Sequence, residues 1–425
     1  MMGIINSNYR EYKLNNGLVV ALQNTPTQTI AAKLRVNYGT SNELDGEEGM
    51  AHFLEHCLVT GGSQKYNPLA ADKIRECFGS SNAFTNAGRT FFVADFLAED
   101  IEKWLDYVSD HVLTPRFDEE RGNAERERVL REIADSKSSP EYLSNIEFNT
   151  LLYRGHPKGR FVLGKEEVVR KADYNKIKDF HIRGFHPNNI DLILVGGLPA
   201  NIEELIEENF GRFPEGVKTR KKFPELGPLI ERSVVQRPAP EILNSGNPDE
   251  ISAQVYFACS APVDNHQDIY AARTMSQILG GDASSLLFQN ISHRRGLAYH
   301  ICSSYSGSYN VGSLHVEASV PARRINEAVE ALFESIQEMR VQKVNENVVE
   351  RVKRSVKYHL ASALESNDGH TSAIEHKLDD NVTPEDTTRG YNLVTPERII
   401  EVANRYLPDK DEGKYILFIR NPLVK

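Results

Sequence analysis

His52, Glu55 and His56 lie within five consecutive residues, His52-Phe53-Leu54-Glu55-His56, and their types and spacing define a chemistry. In a helix, positions i and i+4 stand one turn apart on one face, so the two imidazoles converge. Two neutral imidazole nitrogens at that spacing chelate one metal ion, and Zn²⁺ favours such ligands. Glu55, next to His56, can then accept a proton from water. The order H-x-x-E-H reverses the commoner H-E-x-x-H and reads as metal-assisted hydrolysis.

Two histidines do not complete such a site, which normally has three protein ligands and one open position. The segment NAERERVLREIAD offers Glu125, Glu127 and Glu132. Glu125 and Glu132 are seven apart, two helical turns, and share a face. Glu127 points elsewhere. Val129, Leu130 and Ile133 supply the packing stripe, and Glu132 borders it, directed inward. Cys57 follows His56 directly, but on a helix it points about 100° away. It reads as a small packed residue.

Apolar periodicity sets the elements that must position these groups. Leu18 to Asn24 and Ile30 to Tyr38 read as strands, and Gly46 to Thr60 as the motif helix. A second helix is expected over Asn67 to Phe78. Strands follow at Asn82 to Thr85 and Thr90 to Phe96. Ile101, Trp104, Leu105, Val108 and Val112 keep helical spacing, and Asp118 to Ser136 reads as a long charged helix. A further helix near Lys171 to Phe180 precedes the strand Ile190 to Val195. Gly196-Gly197 closes that strand without a G-x-G-x-x-G.

This order recurs. Thr90–Val108 (TFFVADFLAEDIEKWLDYV) resembles Ser313–Val329 (SLHVEASVPARRINEAV), matching Val93 to Val316 and Ile101 to Ile325. The offset is about half the chain and implies duplication of one α+β unit. Moving the motif by that offset lands near Met275–Gly280, where there is no His or Glu, so the second half is expected to do another job. The expected domains are 1–215, which binds the metal, a Pro- and Lys-rich linker at 216–238, and an inactive homologous domain at 239–425. The Lys218–Lys222 run reads as solvated linker.

A chain of 425 residues is long enough for two to three domains. The net charge of −10 and the lack of a basic block disfavour nucleic acid. No apolar stretch approaches membrane-spanning length, and Met1 to Lys13 lacks a signal-peptide core. Cys57, Cys77, Cys259 and Cys302 form no C-x-x-C pair, so a reduced, cytoplasmic protein is expected.

HFLEH followed by Glu132, 76 residues after His56, resembles the pitrilysin-type, M16 zinc metallopeptidases. Gly79-Ser80-Ser81-Asn82-Ala83-Phe84-Thr85 resembles the family's glycine–Asn-Ala-x-Thr strand. Leu279-Gly280-Gly281, Ser284-Ser285-Leu286 and Gly296-Leu297-Ala298-Tyr299 resemble its second-half signatures. The resemblance implies an α+β fold of two homologous domains, each an antiparallel-rich sheet packed with helices, in a clamshell-type dimer. It implies His52, His56 and Glu132 as zinc ligands, Glu55 as general base and Glu125 as an acidic residue just outside the ligands. It further implies a zinc-dependent endopeptidase of the short-chain type, similar to bacterial processing peptidases. Peptides would add in extended form to the strand at Asn82 and Ala83.

The family's other substrate contact is an Arg and a Tyr seven apart. Tyr299 is the Tyr, but Ser292 stands where Arg is expected, and Ser lacks a forked, charged donor. Arg294 and Arg295 are near in sequence but face other directions on a helix. An intact metal motif with a broken Arg–Tyr pair resembles the active chain of two-chain members. The expected partners are peptides and either a related zinc-less chain carrying the Arg–Tyr pair or a second copy. The alternative is a non-catalytic scaffold of the same fold. Such chains typically lose ligands or base, whereas all four residues stand here.

Overall fold

Runs rich in Val, Ile, Leu and Phe pair into two sheets in the computed structural model, which describes residues 8–219, 223–239 and 251–424. Arg220 to Lys222 of the basic run and Met1 to Ser7 lie outside the described residues. The strands are β1 (Tyr9–Lys13), β2 (Val19–Asn24), β3 (Thr29–Val36), β4 (Ser80–Thr85), β5 (Thr90–Leu97), β6 (Ile190–Gly196), β7 (Ser233–Pro238), β8 (Ser252–Ser260), β9 (His300–Ser306), β10 (Ser313–Pro321) and β11 (Tyr415–Asn421). The first eight helices are α1 (Met50–Thr60), α2 (Pro68–Arg75), α3 (Ile101–Leu113), α4 (Glu119–Ser138), α5 (Pro140–Tyr153), α6 (Glu166–Lys171), α7 (Tyr174–Gly184) and α8 (Ile202–Phe210). Then come α9 (Ile269–Gly280), α10 (Ile325–Val341), α11 (Glu346–Ala363), α12 (Asn367–Asp380), α13 (Pro384–Asn392) and α14 (Pro396–Tyr406).

One sheet has the order β1-β2-β6-β3-β5-β4 and the other β7-β11-β8-β10-β9. Each has one parallel pair, β2 with β6 and β7 with β11, and is otherwise antiparallel. Matching β2, β6, β3, β5 and β4 to β7, β11, β8, β10 and β9 reproduces one topology from the other, as duplication requires. Ile101 and Ile325 each open a helix after a 3₁₀ turn that follows the matched strands β5 and β10. The segment expected as linker ends in β7, an edge strand of the second sheet.

The chain forms two compact units that are not contiguous in sequence. Unit 1 holds Met1–Ser136, Arg160–Lys222 and Ala361–Thr383, and unit 2 holds Lys137–Gly159, Phe223–Leu360 and Pro384–Lys425. α5 and α12 are both 14 residues long and start 227 positions apart, 367 − 140. They are therefore repeat equivalents, and each belongs to the unit built mainly from the other half of the chain. In unit 2, Phe148, Leu152 and Tyr153 of α5 bury against Tyr256 and Phe418 of β8 and β11. In unit 1, Ile374 of α12 covers Ala21, Ile193 and Val195 on the sheet. Charges reinforce that cover. Lys33 pairs with Glu375 at 2.5 Å, and the fully buried Arg35 pairs with Asp191 at 2.8 Å and Asp379 at 3.0 Å. A buried cation without a partner costs several kcal/mol; Asp191 supplies one partner for Arg35 from within the sheet, and α12 adds Asp379 and the partner of Lys33.

The opposite face of the unit 1 sheet carries its main core, with Phe53, Leu54, Leu58, Trp104, Ile133 and Phe180 buried together. No helix among the described residues is long and apolar enough to cross a membrane.

Buried histidines link this core to pH. His181 is 6% exposed, donates through Nε2 to the Val112 carbonyl at 2.8 Å, and is pushed down to about 4 by burial. The unfolded imidazole, near 6.5, binds a proton that the folded one refuses, so stability falls as pH drops from about 6.5 toward 4. At pH 5 the loss is about 2 kcal/mol for this one group. His181→Gln is expected to lose correspondingly less stability between pH 7 and pH 5, measured by urea midpoints at both pH values.

Candidate metal centre

α1 begins at Gly49, whose φ of 101° is left-handed. There a Cβ would meet the Leu163 carbonyl oxygen at 2.7 Å, so glycine is required twice over. Gly49 has no side chain to cap the helix. Glu43 does so from outside, accepting from the backbone N–H groups of Gly49 and Ala51 at 3.0 Å each. Arg160 fixes the approaching loop by donating to the carbonyls of Thr40 and Glu43. Met50, Phe53, Leu54 and Leu58 turn into the core, which aims His52, Glu55 and His56 along the remaining face. Cys57 is 4% exposed and its thiol is pushed up to about 12 by burial, as a packed residue should be.

α4 shares the core of α1 through its buried stripe, Val129, Leu130 and Ile133, and reaches α1 through Arg126. The guanidinium of Arg126 lies 5.6 Å from the Phe53 ring and donates to the Ala172 carbonyl. This packing brings Glu125 and Glu132 to the motif histidines and leaves Glu127 exposed.

Nε2 of His52 is 3.3 Å from Nε2 of His56, and Oε2 of Glu132 is 3.7 Å from each. Zinc bonds of 2.0–2.2 Å in a tetrahedron put ligand atoms about 3.3–3.6 Å apart. The observed triangle therefore has nearly the dimensions of one face of such a shell, with the fourth corner free. Among the described residues this is the one group of three His, Cys, Asp or Glu side chains arranged to hold a metal ion. Its donor set, two imidazoles and a carboxylate, fits zinc.

The surroundings prepare these donors. Nδ1 of His56 lies 2.8 Å from Oε2 of the buried Glu125. A proton held on Nδ1 by that carboxylate leaves the Nε2 lone pair facing the triangle. Burial disfavours the imidazolium of His56, but the Glu125 bond and the charges of Glu132 and Glu55 outweigh it and raise its pKa. His52 is pushed down to about 3 by burial and by His56, so it is neutral at pH 7. Its Nδ1 is buried without a hydrogen-bond partner.

Glu55 is 6% exposed, and burial raises its pKa. The Thr85 hydroxyl donates to its Oε2 at 2.7 Å, which opposes that rise and fixes the carboxylate beside the histidines. Spacing along the Gly79–Thr85 segment does not by itself pair Thr85 with Glu55, although strand alternation puts Ala83 and Thr85 on one face of β4.

Among the described residues β4 is the outermost strand of its sheet and pairs with β5 alone. Asn82 is exposed and its Oδ1 accepts from the Ala83 N–H, while Ala83 is half-buried. Both line a cavity of about 460 Å³ together with His52, Glu55, His56 and Glu132.

In unit 2, α9 occupies the position equivalent to α1 and carries no His or Glu. Tyr299 is fully exposed just before β9. Ser292 lies in a π-helical turn, Phe288–His293, and its hydroxyl donates to the Ala298 carbonyl at 2.6 Å. Arg294 donates to the Asn290 side chain, and Arg295 pairs with Glu334 at 2.5 Å.

Residues 18–166 match the model described as Insulinase (Peptidase family M16), and residues 171–356 match that of the Peptidase M16 inactive domain. An "Uncharacterized zinc protease" of Rickettsia felis is 27% identical over 84% of this chain and 84% of its own. The "Uncharacterized zinc protease YmxG" of Bacillus subtilis is 24% identical over 93% of this chain and 95% of its own. The crystal structure of a protease from Helicobacter pylori has the same fold, with a TM-score of 0.84 at 21% identity, covering 97% of this chain and 99% of that one. With M16 models matching residues 18–166 and 171–356, and a His–His–Glu triangle of dimensions that could hold a metal ion within the first, this chain belongs to peptidase family M16.

Proposed function

We propose that this chain is a zinc-dependent endopeptidase acting on peptides or unstructured segments, with His52, His56 and Glu132 as ligands and Glu55 as general base. The observation that carries this reading is the three-donor triangle beside a buried carboxylate that is itself held by Thr85. Bound zinc supplies Lewis acidity, which acidifies water and polarises a carbonyl. Glu55 takes the proton from the attacking water on a carboxylate oxygen and returns it to the leaving amine nitrogen. Its burial favours the protonated form, which suits a group that must hold a proton between two transfers. Glu125 keeps the proton of His56 on Nδ1. The free edge of β4 offers main-chain N–H and C=O groups to an extended peptide, giving affinity with little sequence demand.

Zinc analysis of the purified chain, with a quenched-peptide assay, tests the reading. About one zinc per chain and hydrolysis are expected. A chain that takes up no zinc after reconstitution overturns it. Thr85→Val removes the donor to Glu55 and is expected to lower kcat about tenfold with zinc content unchanged, checked by steady-state kinetics.

Position 292 offers Tyr299 no guanidinium, because it is Ser, and the Ser292 hydroxyl donates to the Ala298 carbonyl. Arg295 is engaged by Glu334 and Arg294 by Asn290. This supports action beside a related zinc-less chain that carries an Arg–Tyr pair. Full activity of the lone chain, or no kinetic effect of Ser292→Arg, would count against that partner.

A further inference from the structure

We propose that Arg128 is a specificity-determining residue, whose guanidinium binds a carboxylate of the peptide near the scissile bond. The inference rests on the peptidase reading of the same cavity. Arg128 lines that cavity with Glu125, Glu132 and β4. It stands three residues after Glu125 and four before Glu132, so it shares their face of α4. Its side chain is 58% exposed.

The other arginines nearby are committed. Arg75, also on the cavity wall, donates to the Val59 carbonyl and to Asp72. Arg126 donates to Asn123 and Ala172. Arg128 makes one ion pair, 3.5 Å from Oε2 of Glu125, and that oxygen is already bound at 2.8 Å to His56. Five N–H donors in a fork therefore face the cavity with one long contact, a geometry suited to a planar carboxylate. The need for such a group is electrostatic. Zinc at the triangle offsets part of the local negative charge, but away from it a substrate carboxylate lies beside the Glu125 and Glu132 wall, and a guanidinium on that wall favours an acidic residue at the position it reaches. The carboxylate is either an Asp or Glu side chain or the free C-terminus of a short peptide.

Binding separates this inference from catalysis. The probes are fluorescein-labelled, C-terminally amidated peptides with a single Glu, Gln or Lys moved along the sequence, plus one Gln peptide with a free C-terminus. Their anisotropy is titrated with the zinc-loaded Glu55→Gln chain. At one or two positions, or at the free C-terminus, the carboxylate peptide is expected to bind roughly three- to tenfold tighter than its neutral counterpart. Arg128→Gln should bring that ratio to about one, and Arg128→Glu should invert it toward the Lys peptides. A ratio near one in the parent, an unchanged ratio in both Arg128 variants, or no binding of carboxylate peptides overturns the proposal. The expected ratios with no hydrolysis by the wild-type chain would leave Arg128 as a carboxylate binder and remove the peptidase reading.

Discussion

Glu55→Gln is expected to reduce kcat by about 10²–10⁴-fold while the chain keeps its zinc. Gln has nearly the same shape and can still accept from Thr85, so the local packing survives. It cannot take a proton from water, and that is the function assigned to this residue. Glu55 is not among the three converging donors, so metal content should match the wild type. Side-by-side zinc analysis and single-turnover hydrolysis of one quenched peptide check both halves of the expectation. Retention of wild-type kcat would remove Glu55 from the chemistry. Loss of zinc together with activity would instead make it a ligand.

His56→Ala should have the largest effect on metal binding. It removes one of three donors and also strands Glu125, a 5% exposed carboxylate whose closest partner is Nδ1 of His56. Zinc affinity is expected to fall at least about 10²-fold, with activity lost at any zinc concentration that does not inhibit. Glu125→Gln leaves all three donors in place and should weaken zinc by about 10–100-fold, the range typical for partners that orient a ligand. Competition against a chromogenic chelator at fixed pH gives both affinities. Equal affinity of His56→Ala and the wild type would refute the triangle as the metal site. A Glu125→Gln effect larger than that of His56→Ala would move Glu125 into the ligand set.

Local rules made much of this molecule legible. The i, i+4 histidines are a helical statement, and α1 is a helix whose packing residues fix which way they face. The stripe Val129, Leu130 and Ile133 orients α4, and with it the faces that carry Glu125 and Glu127. The matched strand–turn–helix segments announced the duplication, and the two sheet orders repeat it. These features depend on residues close in sequence, whose spacing alone sets a face.

Tertiary structure decided what spacing cannot. The 3.3 and 3.7 Å triangle joins α1 to Glu132 of α4, 76 residues after His56, and no periodicity brings them together. The Thr85–Glu55 bond needs β4 to lie at the sheet edge beside α1. The inward turn of Ser292 depends on a π-helical backbone. Above all, a division at residues 216–238 does not express that α5 and α12 each belong to the unit built mainly from the other half. Partners such as Lys33 and Arg35 on the sheet, which meet Glu375 and Asp379, show where α12 belongs. Sequence by itself determined which groups could act and which faces they share. The fold determined which of those groups meet, because meeting depends on contacts between residues far apart along the chain.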